Sequence, residues 1–232
     1  MSKPNILVIQ ADQLTALCLQ AYGTPYALTP HMDRIAARGT TYLNSYCNSP
    51  VCGPSRASMM TGRLPSNVGV YDNAGEFLSS EPTYAHYLRT LGYQTSLVGK
   101  MHFVGPDQLH GFERRLTTDI YPSDFSWTAD WSQYEEEYAP SRMSLLSVVE
   151  AGTCERSLQV DYDDHVFNMA KQELFDIARS DDERPFFVHA SFTHPHNPFV
   201  TTQDFWDLYD HEAIAMPRVD FIPYEERDPW SQ

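Results

Sequence analysis

Apolar and polar positions sort this chain into short strands and helices separated by glycine, proline and polar stretches. Ile6-Leu-Val-Ile9 is a continuous β-rich apolar run, the pattern of a buried central strand, and it ends at Ala11-Asp12-Gln13. Thr29-Pro30 reads as an N-cap with proline at the first helical position, opening a helix through Ile35-Ala-Ala that stops at Gly39. Thr40 to Tyr46 predicts the next strand. A second helix is expected from about Pro54-Ser55 to Gly62. A third should start after Ser80, turn Tyr84, Tyr87, Leu88 and Leu91 inward and stop at Gly92. Gln94 to Val98 reads as a strand running into Gly99-Lys100-Met101-His102. The stretch 109–152 is rich in Tyr, Trp, Ser and Asp without clear periodicity, which predicts a long excursion shaping a pocket. Asp161 to Arg179 is a helix with Val166, Met169, Ala170, Leu174 and Ile177 inward, and Pro185 to Ala190 a strand leading to Thr193-His194-Pro195-His196-Asn197-Pro198.

Strands alternating with helices argue for an α/β fold, a mainly parallel sheet with helices on both faces. Ligands of such sheets collect at the carboxyl ends of the strands. Three of the expected strands end in reactive groups: Asp12, then Lys100 with His102, then His194 with His196. Cys52 follows the fourth at a helix start. That convergence argues for one site.

Composition narrows the chemistry. A chain of 232 residues with 42% apolar content can bury a sizeable core. Its formal charge of −15, with no run of Lys and Arg, argues against nucleic acid and for a small charged substrate. The apolar run near the start is too short for a secretory signal, and no stretch is long enough to span a membrane. Cys18, Cys47, Cys52 and Cys154 have no disulfide-framework spacing, so a soluble, cytoplasmic protein is expected.

A helix beginning just after Cys52 would aim free backbone N–H groups and its positive end at whatever Cys52 carries, a good seat for an oxyanion. Arg56, one turn in, would add a two-pronged donor. Asp12 stands where a hard divalent cation would need a carboxylate. Lys100 and His102, alternating along an extended segment, would point to the same side. Taken singly, each of these residues also has a purely structural reading.

Together, Cys52-Gly-Pro-Ser-Arg56 and Thr61-Gly-Arg63 resemble the C-x-P-S-R…T-G-R signature of the formylglycine-dependent sulfatases, in the alkaline-phosphatase-like superfamily. The resemblance implies that a separate formylglycine-generating enzyme oxidises Cys52 to an aldehyde (3-oxoalanine, formylglycine). One hydroxyl of its hydrate attacks sulfur and the second expels sulfate. It further implies that Lys100 neutralises a sulfate oxygen and that His102 holds the hydrate or takes its proton. His196, in Pro195-His196-Asn197-Pro198, would give a proton to the leaving oxygen, a task suited to a near-neutral pKa. Asp12 and modified Cys52 would be metal ligands for one divalent cation, Ca2+ before Mg2+ or Mn2+. Gln13, where the family commonly has a second acid, would add an amide oxygen.

Within that family the opening Pro-Asn-Ile-Leu…Ala-Asp-Gln-Leu-Thr, Tyr71-Asp72-Asn73, Val98-Gly-Lys-Met-His-Phe and Asp124-Phe-Ser-Trp127 resemble the amino-terminal part of the choline sulfatases. The reaction so implied is hydrolysis of choline-O-sulfate to choline and sulfate. A quaternary ammonium cannot donate hydrogen bonds and is held by aromatic faces and negative charge. Trp127, Trp131 and Tyr134, with Asp124 and Asp130, have that composition, although an aromatic cluster beneath a long loop would too. Trp127, Trp131 and Asn73 are the expected substrate contacts. The family's later Asp-His-Gly type segment and second lysine have no counterpart here, so the expectation is the amino-terminal portion of a catalytic domain, incomplete at its C-terminus. The full-length form is expected to be a homo-oligomer. Two other readings stay open: a phosphonate monoester or phosphodiester hydrolase of the same superfamily, and an incomplete fragment that only binds its ligand.

Overall fold

The apolar run after Asn5 forms the first strand, and each later run of buried β-formers adds another beside it. The computed structural model describes residues 3–128 and 146–228. In chain order the elements are β1 (Ile6–Ala11), α1 (Pro30–Ala36), α2 (Cys52–Thr61), α3 (Pro65–Val68), α4 (Tyr84–Thr90), β2 (Gln94–Gly99), β3 (Arg114–Arg115), α5 (Leu146–Val149), β4 (Gly152–Thr153), α6 (Leu158–Arg179), β5 (Phe186–Phe192), β6 (Val200–Thr201) and α7 (Gln203–Trp206). No helix of the described residues is long and apolar enough to cross a membrane.

The chain divides into two compact units. One comprises residues 1–14, 42–129 and 156–197; the other comprises 15–41, 130–155 and 198–232. The first holds a four-stranded, wholly parallel sheet in the order β1-β5-β2-β3, with Ile6 level with Phe187 and Thr95 with Phe187 on the other side. The second holds α1, α5, α7 and a two-stranded parallel pair, β4 with β6.

Alternation along the central strands builds two apolar layers. Phe187 and Leu97 pack with Ala57 and Met60 of α2 and Ala85 of α4. On the opposite face Val98 and Ala190 pack with Val166 and Ala170 of α6. The expected cover on both faces is therefore present. The expected central position of β1 is not seen: among the described residues it lies at the sheet edge, and Leu7 and Ile9, in register with Val188 and Ala190, remain 45% and 62% exposed for want of a cover there.

Three other expectations need correction. Residues 40–46 form no strand, and Tyr42, Leu43 and Tyr46 are exposed; no strand pairs with this β-prone segment among the described residues. On α4 only Tyr84 and Leu88, one turn apart, face the core with Ala85, while Tyr87 and Leu91 point to solvent. The beginning of the 109–152 stretch is not peripheral: Phe112 is buried in the core and Arg114–Arg115 hydrogen-bond beside β2 as β3.

The core also encloses a histidine. His110 is fully buried, stacked 4.1 Å from Phe77 and 4.4 Å edge-on from Phe103, and both its ring nitrogens lack a hydrogen-bond partner. Burial outweighs the nearby Asp107 carboxylate and pulls its pKa down to about 4. The unfolded chain protonates this ring near pH 6.5, so from there down to about 4 the unfolded state binds more protons and stability falls with pH. Each such proton contributes at most about 1.4 kcal/mol per pH unit. Urea unfolding at pH 7 and pH 4.5 should therefore show a smaller acid loss in His110→Phe than in the parent; an equal loss would assign the acid sensitivity elsewhere.

Candidate active site

Three strand ends and one helix start meet at the carboxyl edge of the large sheet. Asp12 follows β1, Lys100 follows β2, Thr193 to Asn197 follow β5, and Cys52 opens α2 rather than preceding it. Cys52 Sγ lies 3.9 Å from each oxygen of Asp12 and 3.7 Å from Lys100 Nζ. The fully buried Lys100 ammonium donates to Asp12 Oδ2, and Arg56 Nη2 lies 3.5 Å from Asp12 Oδ1. Arg56, also buried, donates from Nη1 to the Lys100 carbonyl at 2.5 Å and to Ser191 Oγ at 2.9 Å. It is thus a strut beneath the site, tying α2 to the ends of β2 and β5.

These charges set the titration of the site. Burial raises the Asp12 carboxyl, but Arg56 and Lys100 outweigh it and hold the group below the ordinary carboxylate value. Burial likewise raises the Cys52 thiol, yet the neighbouring His102 ring and the Lys100 charge bring it below the usual thiol value.

Lys100 and His102 both face Cys52, but not through extended alternation: His102 has a left-handed backbone with φ 58°. Asp119 holds it there. Its Oδ2 accepts the backbone N–H of Met101 at 2.9 Å and of His102 at 2.8 Å, and a 2.8 Å bond from Arg115. His102 Nε2 lies 3.0 Å from the Asn73 carbonyl, which can only accept, so Nε2 carries the proton. Nδ1 is then a buried acceptor beside Cys52 without another partner. Asn73 also caps the helix, its Oδ1 accepting the Gly53 N–H at 2.8 Å. Its amide oxygen is thereby engaged in positioning Cys52.

The segment after β5 is pinned by Asp163 of α6. This carboxylate accepts the backbone N–H of Thr193 at 2.7 Å and of His194 at 2.9 Å, and the His194 ring at 2.6 Å. His194 therefore orients the loop, while His196 donates Nδ1–H to the Asn197 carbonyl at 2.9 Å and leaves Nε2 as the reactive nitrogen. Gln159 ties the His196 carbonyl back to α6 at 3.0 Å. Trp127, half-exposed, lies 5.6 Å from the His102 ring and 5.1 Å from Tyr121. Trp131, with Asp130 and Tyr134, lies outside the described residues.

Tyr121, Asp119 and Asp163 carry no motif that would single them out in sequence. The first two sit in the aperiodic stretch, and Asp163 lies inside a regular helix. Only their contacts reveal them.

Asp12, Cys52 and His196 offer ligand atoms that all lie within 4.8 Å of one another. A hard divalent cation takes six or more oxygens. This set contains one carboxylate, already paired with two cations, and Gln13 is exposed beside it. The described residues do not by themselves fit such an ion.

The sulfatase family profile matches residues 4–214. The chain belongs to the sulfatase family. Members of this family generally use a formylglycine and a divalent metal ion. The chain is 49% identical to a choline-sulfatase of Rhizobium meliloti (strain 1021), over 99% of its own length and 46% of that protein's. To an arylsulfatase of Clostridium perfringens (strain 13 / Type A) it is 29% identical, over 93% and 48% of the two chains. It thus spans about half the length of the curated relatives it matches. Among solved structures, a phosphonate monoester hydrolase of Agrobacterium radiobacter aligns with TM-score 0.63 at 22% identity, over 90% of this chain and 44% of that one. That likeness establishes the shared fold.

Removing Asp119 should loosen the whole sulfatase site. Asp119→Ala removes the carboxylate partner of the Arg115 guanidinium and strands three backbone N–H groups, and should cost about 3 to 5 kcal/mol of stability in denaturant unfolding. A loss under about 1 kcal/mol would show that His102 holds its left-handed turn without this carboxylate.

Proposed function

We propose that, with Cys52 converted to formylglycine by a separate modifying enzyme, this site hydrolyses a sulfate ester, choline-O-sulfate before others. The observation that carries the reading is the convergence of Lys100, His102 and the Asn73-capped start of α2 on one atom, Cys52 Sγ. That atom marks where the oxygens of the aldehyde hydrate would stand. The hydrate supplies the hydroxyl that attacks sulfur and the second hydroxyl that later expels sulfate.

The residues around it divide the remaining work. His102 Nδ1, kept unprotonated by the Asn73 carbonyl behind the ring, takes a proton from a hydrate hydroxyl. Lys100, at 3.7 Å from Cys52 Sγ, neutralises charge on the sulfate oxygens. Arg56 fixes Lys100 through its carbonyl, and Asp12 fixes it through its ammonium. His196 Nε2 protonates the alcohol oxygen as the sulfur–oxygen bond breaks. A hard cation, Ca2+ before Mg2+ or Mn2+, would meet this chain at Asp12, the formylglycine oxygen and Gln13, with further ligands from outside the described residues.

The choline assignment rests on the 49% identity to a choline-sulfatase and on the half-exposed Trp127 ring at the rim of the site. An indole face suits a trimethylammonium group that cannot hydrogen-bond. Trp131 would join it in this reading, and Asn73 would act through the amide nitrogen that its cap leaves available.

The deciding experiment is steady-state hydrolysis by the formylglycine-bearing protein, comparing choline-O-sulfate with an uncharged alkyl sulfate and a phosphonate monoester. Choline-O-sulfate should have the highest kcat/KM; a phosphonate preference would replace the reading by that of the fold relatives. Cys52→Ala should abolish turnover, and His196→Ala should lower kcat by about 10² to 10⁴. Trp127→Ala should raise KM for choline-O-sulfate by about tenfold while barely changing the uncharged ester. An equal effect on both esters would remove Trp127 from ammonium recognition.

A further inference from the structure

The Lys100 ammonium is fully buried and has three hydrogens to satisfy. One points to Asp12, and Cys52 Sγ at 3.7 Å takes a second direction. The third side is closed by the Tyr121 ring, whose centroid lies 4.1 Å from Nζ. A buried N–H without a partner is costly, and an aromatic face is the one apolar surface that attracts an ammonium. The same ring is 5.1 Å from His102 and 5.1 Å from Trp127. Its hydroxyl makes long contacts of 3.4 and 3.5 Å with the two nitrogens of the His196 ring. Since His196 Nδ1 donates to Asn197, the hydroxyl is left to brace Nε2, and its oxygen can accept from that nitrogen while the ring carries the proton it is to deliver. Burial pushes the phenol pKa up, so the hydroxyl keeps its proton.

Tyr121 is itself fixed by the carboxylate that organises His102. Its backbone N–H lies 3.3 Å from Asp119 Oδ1, while Oδ2 of the same group holds Met101 and His102. One side chain therefore stands between the cation, the base, the acid and the candidate substrate ring.

We propose that Tyr121 is a positioning residue of this site: its ring seats the Lys100 ammonium against Cys52, and its hydroxyl braces His196. The role rests on the hydrolytic reading above, but the seating of Lys100 is measurable without turnover. It also assigns the two aromatic residues different tasks. The Tyr121 face is engaged by a protein cation, which leaves Trp127 to meet the ligand's.

The chain has three lysines, Lys3, Lys100 and Lys171, so lysine labelled with carbon-13 at Cε gives three resonances. Lys100, assigned by its loss in Lys100→Arg, should be the most upfield, displaced by the ring current of Tyr121. Lys171, 5.5 Å from the Phe167 ring, provides a weaker internal reference. The displacement should persist in Tyr121→Phe and vanish in Tyr121→Leu. In the formylglycine-bearing protein, Tyr121→Leu should lower kcat for the sulfate ester by about tenfold with KM little changed. Tyr121→Phe should recover most of it, with the residual defect confined to the limb of the pH–kcat profile that reports His196.

An undisplaced Lys100 resonance in the parent, or parental kcat in Tyr121→Leu, would overturn the proposal. If Tyr121→Leu does not fold, the parent resonance and the Tyr121→Phe pH profile decide it: an undisplaced resonance or an unchanged profile counts against. A parent that shows the displaced resonance yet hydrolyses no sulfate ester would sink the hydrolytic reading and leave the seating of Lys100 standing.

Discussion

The Asp12 carboxylate, buried between two cations, is the interaction on which the site depends. Strands β1 and β2 are not neighbours, since β5 lies between them, so the Asp12–Lys100 pair bridges the end of the middle strand. Arg56 closes the arrangement from α2, reaching Asp12, the Lys100 carbonyl and Ser191. Buried charges are tolerated only when paired and hydrogen-bonded. Each of these three therefore constrains the placement of the other two, and the four elements carrying the site are held in one arrangement.

That arrangement requires two unusual stretches of backbone. Gly99 has φ 102°, and a Cβ there would stand 1.9 Å from the Ser191 carbonyl oxygen, so only glycine lets β2 approach β5 this closely before Lys100. His102 adopts φ 58° with a full side chain, which Asp119 stabilises by accepting its N–H. Between them the chain turns sharply enough to bring an ammonium and an imidazole onto one sulfur. Asp163 does the corresponding work after β5, where its carboxylate replaces the strand hydrogen bonds that end at Phe192. Positioning in this site is thus largely a matter of carboxylates accepting backbone N–H groups.

The division of labour follows from burial. Lys100, Arg56 and His102 are buried and each is held in place by protein groups, which suits residues whose geometry has to be fixed before a substrate arrives. Trp127 is half-exposed, which suits a residue that meets a ligand. The exposed Leu7 and Ile9 on the β1 edge mark the side where this sheet has apolar surface to spare, in a chain spanning about half the length of its relatives.

Local pattern was enough for β1, β2, β5, α2 and α6, because each couples a periodic apolar face to a clear start or stop, and the reactive residues at their ends were legible for the same reason. The signature around Cys52 pointed to the family that the match over residues 4–214 shows. Residues 40–46 misled because β-propensity says nothing about whether a partner strand exists, and Tyr87 and Leu91 misled because a wide apolar stripe does not say which part of it faces the core. What only the tertiary structure decided was which side chains hold the reactive ones in place. Asp119, Tyr121 and Asp163 act through distances to residues remote in the chain, and a carboxylate that accepts a distant backbone N–H leaves no periodicity or spacing behind it. The identity of the reactive groups was written locally; their convergence on one atom was a property of the packed sheet.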